Sequence, residues 1–513
     1  MTWWRDGVLY QVYPRSFQDS NGDGVGDLNG VTSRLDHLAW LGVDGIWLSP
    51  TFPSPNADWG YDVADYFGVH PELGTAEDLD RLVAEAGSRG IRVLLDLVPN
   101  HTSDEHPWFR DSRSSREAPH RDWYVWRDPA PDGGPPNNWR SAFGGPAWTL
   151  DERTGQLFLH QFAAGQPDLN WWHEDVRQAF DEILRHWFGR GVAGVRIDTA
   201  HLIVKDRLLR DNPPADETDH PYIRRRGWKP IHTANQPEVH DVLKRWRSVC
   251  GEFDPEPVLV GETYVLDVRQ LAPYYGAGDE LHLAFNFPFV HAPFRAETLA
   301  GIVAETEAVL PGHGWPVWTA SNHDVSRFPT RWCAGSEALI RCALMLLLTL
   351  RGTPFLYQGD EIGMPDGEIG PDDVLDPAGV RDVARTPMQW SGEAGGGFTA
   401  AGVRPWLPFG DYFACNVATQ REDRDSVLWL ARDLIELRRR FVSAPYASLE
   451  APAGCWAFSR GPGIAVALNL GEADVVLDLR GEVLLGTDHV RAGRPFDGRL
   501  APAEGVVLAR SQD

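Results

Sequence analysis

Eight short apolar runs, each too short to be a buried helix, recur through the first 360 or so residues with amphipathic stretches between them. They are Val8–Tyr13, Gly45–Leu48, Val93–Val98, Val192–Ile197, Val258–Gly261, Leu281–Phe285, Val317–Ala320 and Phe355–Tyr357. Helical periodicity fills the gaps, as in Glu77–Ser88, Val176–Phe188, Glu238–Cys250 and Glu337–Leu350. Gly42, Gly90, Gly191 and Gly352 follow helix ends, where a left-handed C-cap favours glycine. Strict strand–helix alternation points to the α/β class with a parallel sheet. Eight alternations suit a closed (β/α)8 barrel of the TIM type better than an open doubly wound sheet. No GxGxxG follows the first run, which removes the dinucleotide-binding alternative.

Two stretches break the rhythm. Residues 101–172 are rich in Pro, Gly, Trp, Asp and Arg. So long an insertion after the third strand, with that aromatic content, predicts a small inserted lid domain and not a disordered loop. From residue 442 to 513, short runs (Gly463–Leu468, Ala473–Leu479, Val483–Leu485, Gly505–Leu508) alternate with Gly and Asp turns, predicting a C-terminal antiparallel β-domain. The barrel then comprises residues 1–100 and 173–441. No solenoid repeat is present.

Composition narrows the partners. The 513-residue chain is 42% apolar, enough for a large core, and its formal net charge is −25. That charge argues against nucleic acid or anionic membrane as partners. Five cysteines (Cys250, Cys333, Cys342, Cys415, Cys455) form no metal-binding spacing and suit free thiols in a reducing compartment. Met1-Thr2-Trp3-Trp4-Arg5-Asp6 has no signal-peptide pattern, and no run is long enough to span a bilayer. A cytoplasmic location is the expectation; oligomeric state is not legible. The chain holds 22 Trp, 22 Phe and 12 Tyr, rings that stack on sugars but also fill cores, so they decide little alone.

Several of the runs end in carboxylates, although charge belongs in water. Asp198 closes Gly194-Val195-Arg196-Ile197-Asp198, Glu262 closes Val258-Leu259-Val260-Gly261-Glu262, and Asp324 ends Ser321-Asn322-His323-Asp324. Asp96-Leu97-Val98-Pro99-Asn100-His101 has the same form. In a barrel these strand ends open onto one face, so the carboxylates converge. Cleaving a glycosidic bond needs one carboxylic acid to protonate the leaving oxygen and one carboxylate to attack or to activate water. Arg196, two residues before Asp198, shares its strand face and would hold it ionised, as a nucleophile requires. Glu262 has no cation beside it in sequence, so burial would raise its pKa and keep it protonated, as a general acid requires. Asp324, beside His323, would bind sugar hydroxyls. The alternative is that each carboxylate caps a following helix.

These residues resemble the four signature regions of glycoside hydrolase family 13, the α-amylase family. Asp96…Asn100-His101, Gly194-x-Arg196-x-Asp198, Glu262 and Asn322-His323-Asp324 carry the resemblance. Gln166-Pro167-Asp168-Leu169-Asn170, Gly60-Tyr61-Asp62 and Arg381-Asp382-x-x-Arg385-Thr386-Pro387-Met388-Gln389-Trp390 resemble further motifs of its α-glucosidase and oligo-1,6-glucosidase branch. The resemblance implies a barrel with an inserted domain, a C-terminal β-domain and a retaining double displacement at an α-glucosyl residue. It implies Asp198 as nucleophile, Glu262 as acid/base and Asp324 as transition-state stabiliser. Asp62, His101, Arg196, His323 and one arginine of the Arg381/Arg385 pair, with Arg381 preferred, would bind the nonreducing glucose. Phe143 and Phe162 would line the glucose pocket; the alternative is that they pack the inserted domain's own core. In this branch the residue after the nucleophile is often Val in α-1,6 enzymes and a smaller or polar one in α-1,4 enzymes. Thr199 therefore favours α-1,4 cleavage of short maltooligosaccharides.

Asp19-Ser20-Asn21-Gly22-Asp23-Gly24-Val25-Gly26-Asp27 places oxygen atoms at every second residue and imitates the start of an EF-hand loop. Position twelve is Gly30, so the closing Glu is missing and no EF-hand forms. A structural Ca²⁺, or Mg²⁺, held by Asp19, Asn21, Asp23, Asp27 and the Val25 carbonyl is expected. The branch named above resembles this chain here too, with a calcium loop after its first strand. The alternative is a metal-free loop rich in Asx turns. No organic cofactor is expected.

The leading expectation is a retaining, exo-acting α-glucosidase releasing glucose from small α-glucosides through a covalent glucosyl-enzyme. A glucosyl-transferring or isomerising relative, such as a trehalose or isomaltulose synthase or a sucrose-acting enzyme, would use the same carboxylates. A non-catalytic, transporter-associated subunit would have a membrane span and lack part of the carboxylate set, and this sequence does neither.

Overall fold

The computed structural model describes residues 2–510. Eight parallel strands form the barrel: β1 (Leu9–Val12), β2 (Gly45–Leu48), β3 (Arg92–Leu97), β4 (Gly194–Ile197), β5 (Val258–Gly261), β6 (Leu283–Ala284), β7 (Val317–Thr319) and β8 (Thr353–Tyr357). They are hydrogen-bonded in the order β7-β8-β1-β2-β3-β4-β5-β6, so the barrel is closed except between β6 and β7. All eight apolar runs of the sequence became strands.

Alternation along each strand builds two cores. Leu9, Trp47, Leu94, Val258, Val260, Val317 and Phe355 fill the barrel's interior. Their neighbours Tyr10, Ile46, Leu95, Val195 and Leu259 face outward and pack under the helices. Strands buried on both faces read as continuous apolar runs for this reason. Helix Ala76–Ser88 begins with a capping box, in which Thr75 and Asp78 satisfy each other's backbone N–H groups. Helix Glu337–Thr349 is buried almost all round, because the C-terminal sheet covers its outer side.

The segment after β3 folds as a three-stranded antiparallel sheet, with Gln156–Leu159 between Trp126–Arg127 and Trp148–Asp151. It has its own core of Trp139, Ala147, Trp148, Leu157 and Leu159. Bridges between His101 and Asp168 and between Tyr124 and Leu169 zip its two ends together above the barrel. The chain after β4 also makes a long excursion, with a short helix at Pro221–Arg226, before helix Val239–Cys250. It docks on the inserted domain: Asn138 and Asn212 exchange hydrogen bonds of 2.8 Å, and Trp139 Nε1 donates to the Arg210 carbonyl at 2.8 Å.

The C-terminal sheet has five antiparallel strands in the order Tyr446–Leu449, Cys455–Arg460, Ile464–Asn469, Glu504–Arg510, Gly481–Gly486. The first two were not expected from sequence, since Tyr-Ala-Ser-Leu and Cys-Trp-Ala-Phe-Ser-Arg contain no Val or Ile. The expected run Ala473–Leu479 supplies only the short strand Val475–Val476, paired with Arg499–Leu500. Among the described residues no helix is long and apolar enough to cross a membrane, and all five cysteines are free.

Candidate active site

The C-terminal strand ends surround one cavity of about 800 Å³, lined by Asp58, Tyr61, His101, Asp198, Glu262 and Asp324 among others. Arg196 on β4 is the hub beneath it. This guanidinium is 2% exposed and lies 4.9 Å from the Trp47 ring. A buried cation needs anionic partners, and Arg196 has three. Nη1 bonds Asp96 Oδ1 and Asp198 Oδ1, each at 2.8 Å, and Nη2 meets Glu262 Oε2 at 2.7 Å. Glu262, without a cation beside it in sequence, thus gains one from the neighbouring strand.

Glu262 and Asp324 are not equivalent. Burial, helped by the negative charges of Asp198 and Asp324 and opposed by Arg196, pushes Glu262 up to about 8, so it is protonated at neutral pH. Burial also works to raise Asp324, but His323, Arg381 and Arg385 outweigh it and hold that carboxyl well below the usual range. His323 is itself driven down to about 4 by burial, so near neutrality it acts as an uncharged hydrogen-bond partner and the fixed charges are the arginines'. Its Nδ1 meets Gln11 at 2.7 Å and its ring stacks on Tyr61 with centroids 5.3 Å apart. Asp96, buried under the hub and bonded by Trp47 and Tyr61, is raised to about 7 by burial against the pull of Arg196.

Thr199 ties two carboxyls together. Its N–H donates to Glu262 Oε2 at 2.9 Å and its hydroxyl to Asp198 Oδ2 at 3.1 Å. Arg381 reaches Asp324 at 3.1 Å, Asp58 at 2.6 Å and Asp376 at 2.6 Å. Arg385 lies fully buried behind it, bonded to Asp324 Oδ1 and to the His323 carbonyl at 2.8 Å each. Of the two arginines, Arg381 is the one that lines the cavity. Phe143 and Phe162 pack edge to face on the cavity wall, Phe143 under Arg381 and Phe162 beside His101, and both lie outside the inserted domain's core. His101 Nε2 is held by the Tyr61 carbonyl and Gln166.

One expected glucose ligand is misplaced. Asp62 is fully buried and turned into its own loop, where it accepts from the Ser54 hydroxyl and the Ala57 and Asp58 N–H groups at 2.8, 2.8 and 2.9 Å. Asp58, four residues earlier, faces the cavity instead. The sequence also did not single out the outer wall, built from the excursion after β4 and the β5 end: His201, Tyr222, Asn235 and Tyr264. His201 and Tyr264 follow the runs that end in Asp198 and Glu262, but no apolar run or carboxylate of that kind marks Tyr222 or Asn235.

The loop Asp19–Asp27 lies away from the cavity. Its donor chemistry suits a hard cation, since it offers only carboxylate, amide and carbonyl oxygen. The same oxygens brace the loop: Asp19 accepts from Gly22 and Gly24, Asn21 from Asp23, Asp23 from Val25, and Asp27 from Ser20 and Gly30. Among the described residues no three His, Cys, Asp or Glu side chains converge as a ready-made metal cluster.

Two carboxyls that share one arginine on one barrel face, Asp198 and a Glu262 held protonated, are the pair that cleavage of a glycosidic bond calls for. Comparison with known proteins agrees, and the chain belongs to the α-amylase family. Residues 11–444 match the family described as "Alpha amylase, catalytic domain", so this is a glycoside hydrolase. The chain is similar to a probable alpha-glucosidase of Rhizobium meliloti, 44% identical over 85% of this chain and 82% of the other. It is similar to an oligo-1,6-glucosidase of Heyndrickxia coagulans, 39% identical over 86% and 85%. Among solved structures, that of the alpha-glucosyl transfer enzyme XgtA superposes with a TM-score of 0.92 at 38% identity, covering 100% of both chains.

Proposed function

We propose that the protein is a retaining, exo-acting α-glucosidase that releases glucose from the nonreducing end of short α-glucosides. The observation that carries this reading is the single guanidinium of Arg196 touching both Asp198 and Glu262. One cation holding both favours the short separation, about 5–5.5 Å, of a retaining pair. Asp198 attacks C1 while protonated Glu262 gives its proton to the leaving oxygen. Glu262, now a carboxylate, then takes a proton from water as water releases glucose from Asp198. Asp324, Arg381, Asp58 and His101 hold the glucose ring. The Asp58–Arg381 pair, linking the β2 and β8 loops, supports exo action because it walls off one end of the cavity.

Within this reading α-1,4 bonds are preferred over α-1,6, with Thr199 at the junction. Its hydroxyl is committed to Asp198, so it acts on linkage through wall shape and the carboxylate. The likeness to a glucosyl-transfer enzyme keeps transfer to a sugar acceptor as the second reading. A structural Ca²⁺ (or Mg²⁺) in the Asp19–Asp27 loop and a cytoplasmic location, suited to five free thiols, complete the proposal.

The deciding experiment incubates the enzyme with maltose, isomaltose, sucrose, trehalose and maltotriose and follows products by NMR. Glucose released first as the α-anomer, fastest from maltose and maltotriose, is expected. First-formed β-glucose rules out retention, and a rearranged disaccharide as main product favours the transfer reading.

A further inference from the structure

Thr199 has two features that binding a glucose does not use. Its backbone is left-handed, with φ 41° and ψ 44°, a conformation that a β-branched residue rarely adopts. That twist is what brings its N–H to Glu262 and its hydroxyl to Asp198 at once. The two oxygens of Asp198 are consequently unlike. Oδ1 is pinned by Arg196 Nη1, which also serves Asp96, whereas Oδ2 has only the Thr199 hydroxyl. Oδ2 is the oxygen with the more available electron pair.

We propose that the Thr199 hydroxyl is a leaving-group donor that sets the lifetime of the glucosyl-enzyme; this rests on the retaining reading above. In the first step the Oδ2 lone pair forms a bond to C1 and the glycosidic C1–O bond breaks. The departing oxygen keeps that electron pair and takes the proton of Glu262. Oδ2 is now an ester oxygen, a poor acceptor, so the Thr199 hydrogen bond weakens. In the second step water bonds to C1, its proton passes to the Glu262 carboxylate, and the C1–Oδ2 bond breaks. The electron pair returns to Asp198, where the hydroxyl regains a charged acceptor. The donor therefore favours release of Asp198 and slightly opposes its attack.

α-Glucosyl fluoride separates this role from an effect on linkage, because it has no sugar aglycone and its good leaving group makes the second step limiting. Thr199→Val, isosteric but without the hydroxyl, should lower kcat and KM together by about tenfold, the size expected for losing one hydrogen bond to a charged group. Its kcat/KM should stay within about twofold, and glucosylated Asp198 should accumulate in mass spectra of the quenched steady state. Thr199→Ser should restore wild-type values; if Thr199→Val does not fold, Thr199→Ala against Thr199→Ser makes the same comparison. A fall in kcat/KM without accumulation, or unchanged kinetics, overturns the proposal alone. A wild-type enzyme that does not turn over α-glucosyl fluoride overturns the retaining reading, and this inference with it.

Discussion

The N–H of Thr199 donates to Oε2 of Glu262 at 2.9 Å, so the residue that follows Asp198 in the chain also orients the acid opposite it. Glu262 is at the same time held by Arg196 and pushed up to about 8. On the proposed mechanism its protonated form acts in the first step, and that form is complete well below pH 8 and lost above it. With maltose, kcat/KM should fall about tenfold per pH unit beyond roughly pH 8. Glu262→Gln should lose about 10²–10⁴-fold on maltose and abolish this alkaline limb, while α-glucosyl fluoride still glucosylates the enzyme. A pH profile that keeps the same limb in the variant assigns it to another group.

Asp198 is the residue on which a covalent glucose is expected. Asp198→Asn should lose activity by on the order of 10⁵-fold or more, as removal of a nucleophile does elsewhere. A 5-fluoro-glucosyl fluoride label, digested and sequenced by mass spectrometry, should fall on Asp198 in the wild type and be absent in the variant. Label on another peptide reassigns the nucleophile.

The sequence made the barrel and the carboxyls at its strand ends legible for one shared reason. Strands buried on both faces must be apolar, so Asp198 and Glu262 stand out where each run ends. What it hid is long-range. Arg196 pairs in register with Val260 of the next strand, and only that pairing brings Glu262 onto its guanidinium. Asp58 and Asp62 are two carboxylates in one loop, and a backbone turn alone decides which faces the cavity. The excursion after β4 is polar and Pro-rich, without periodicity, so its part in the outer wall could not be read.

That loop offers a paired test. Asp58→Asn removes a charge from the cavity and from Arg381, and should lower kcat/KM on maltose by about 10–100-fold, the range for a charge-assisted hydrogen bond, with little change in Tm. Asp62→Asn should do the reverse. Its oxygens accept three bonds inside the loop, so an amide there costs about 1–3 kcal/mol and lowers Tm by roughly 1–3 °C. Measured well below that Tm, kcat/KM should stay near wild type. If Asp62→Asn instead loses activity without losing stability, Asp62 reaches the sugar after all.

The Asp19–Asp27 loop makes a prediction about stability and not about chemistry. It starts beyond β1, away from the cavity, and is tied to the chain after β8 through the Asp19 N–H, which donates to the Phe398 carbonyl at 3.0 Å. A cation bound only by the folded loop stabilises it by RT ln(1 + [L]/Kd), about 2.7 kcal/mol at a hundredfold excess over Kd. For a chain of this size that corresponds to a few degrees in Tm. Chelation with EDTA should lower Tm by that amount, added Ca²⁺ should restore it, and kcat at 25 °C should not change. Asp23→Ala, whose carboxylate lies in the exposed part of the loop, should abolish the Ca²⁺-dependent shift. A melting curve indifferent to both EDTA and Ca²⁺ leaves the loop as a set of Asx turns braced by their own N–H groups.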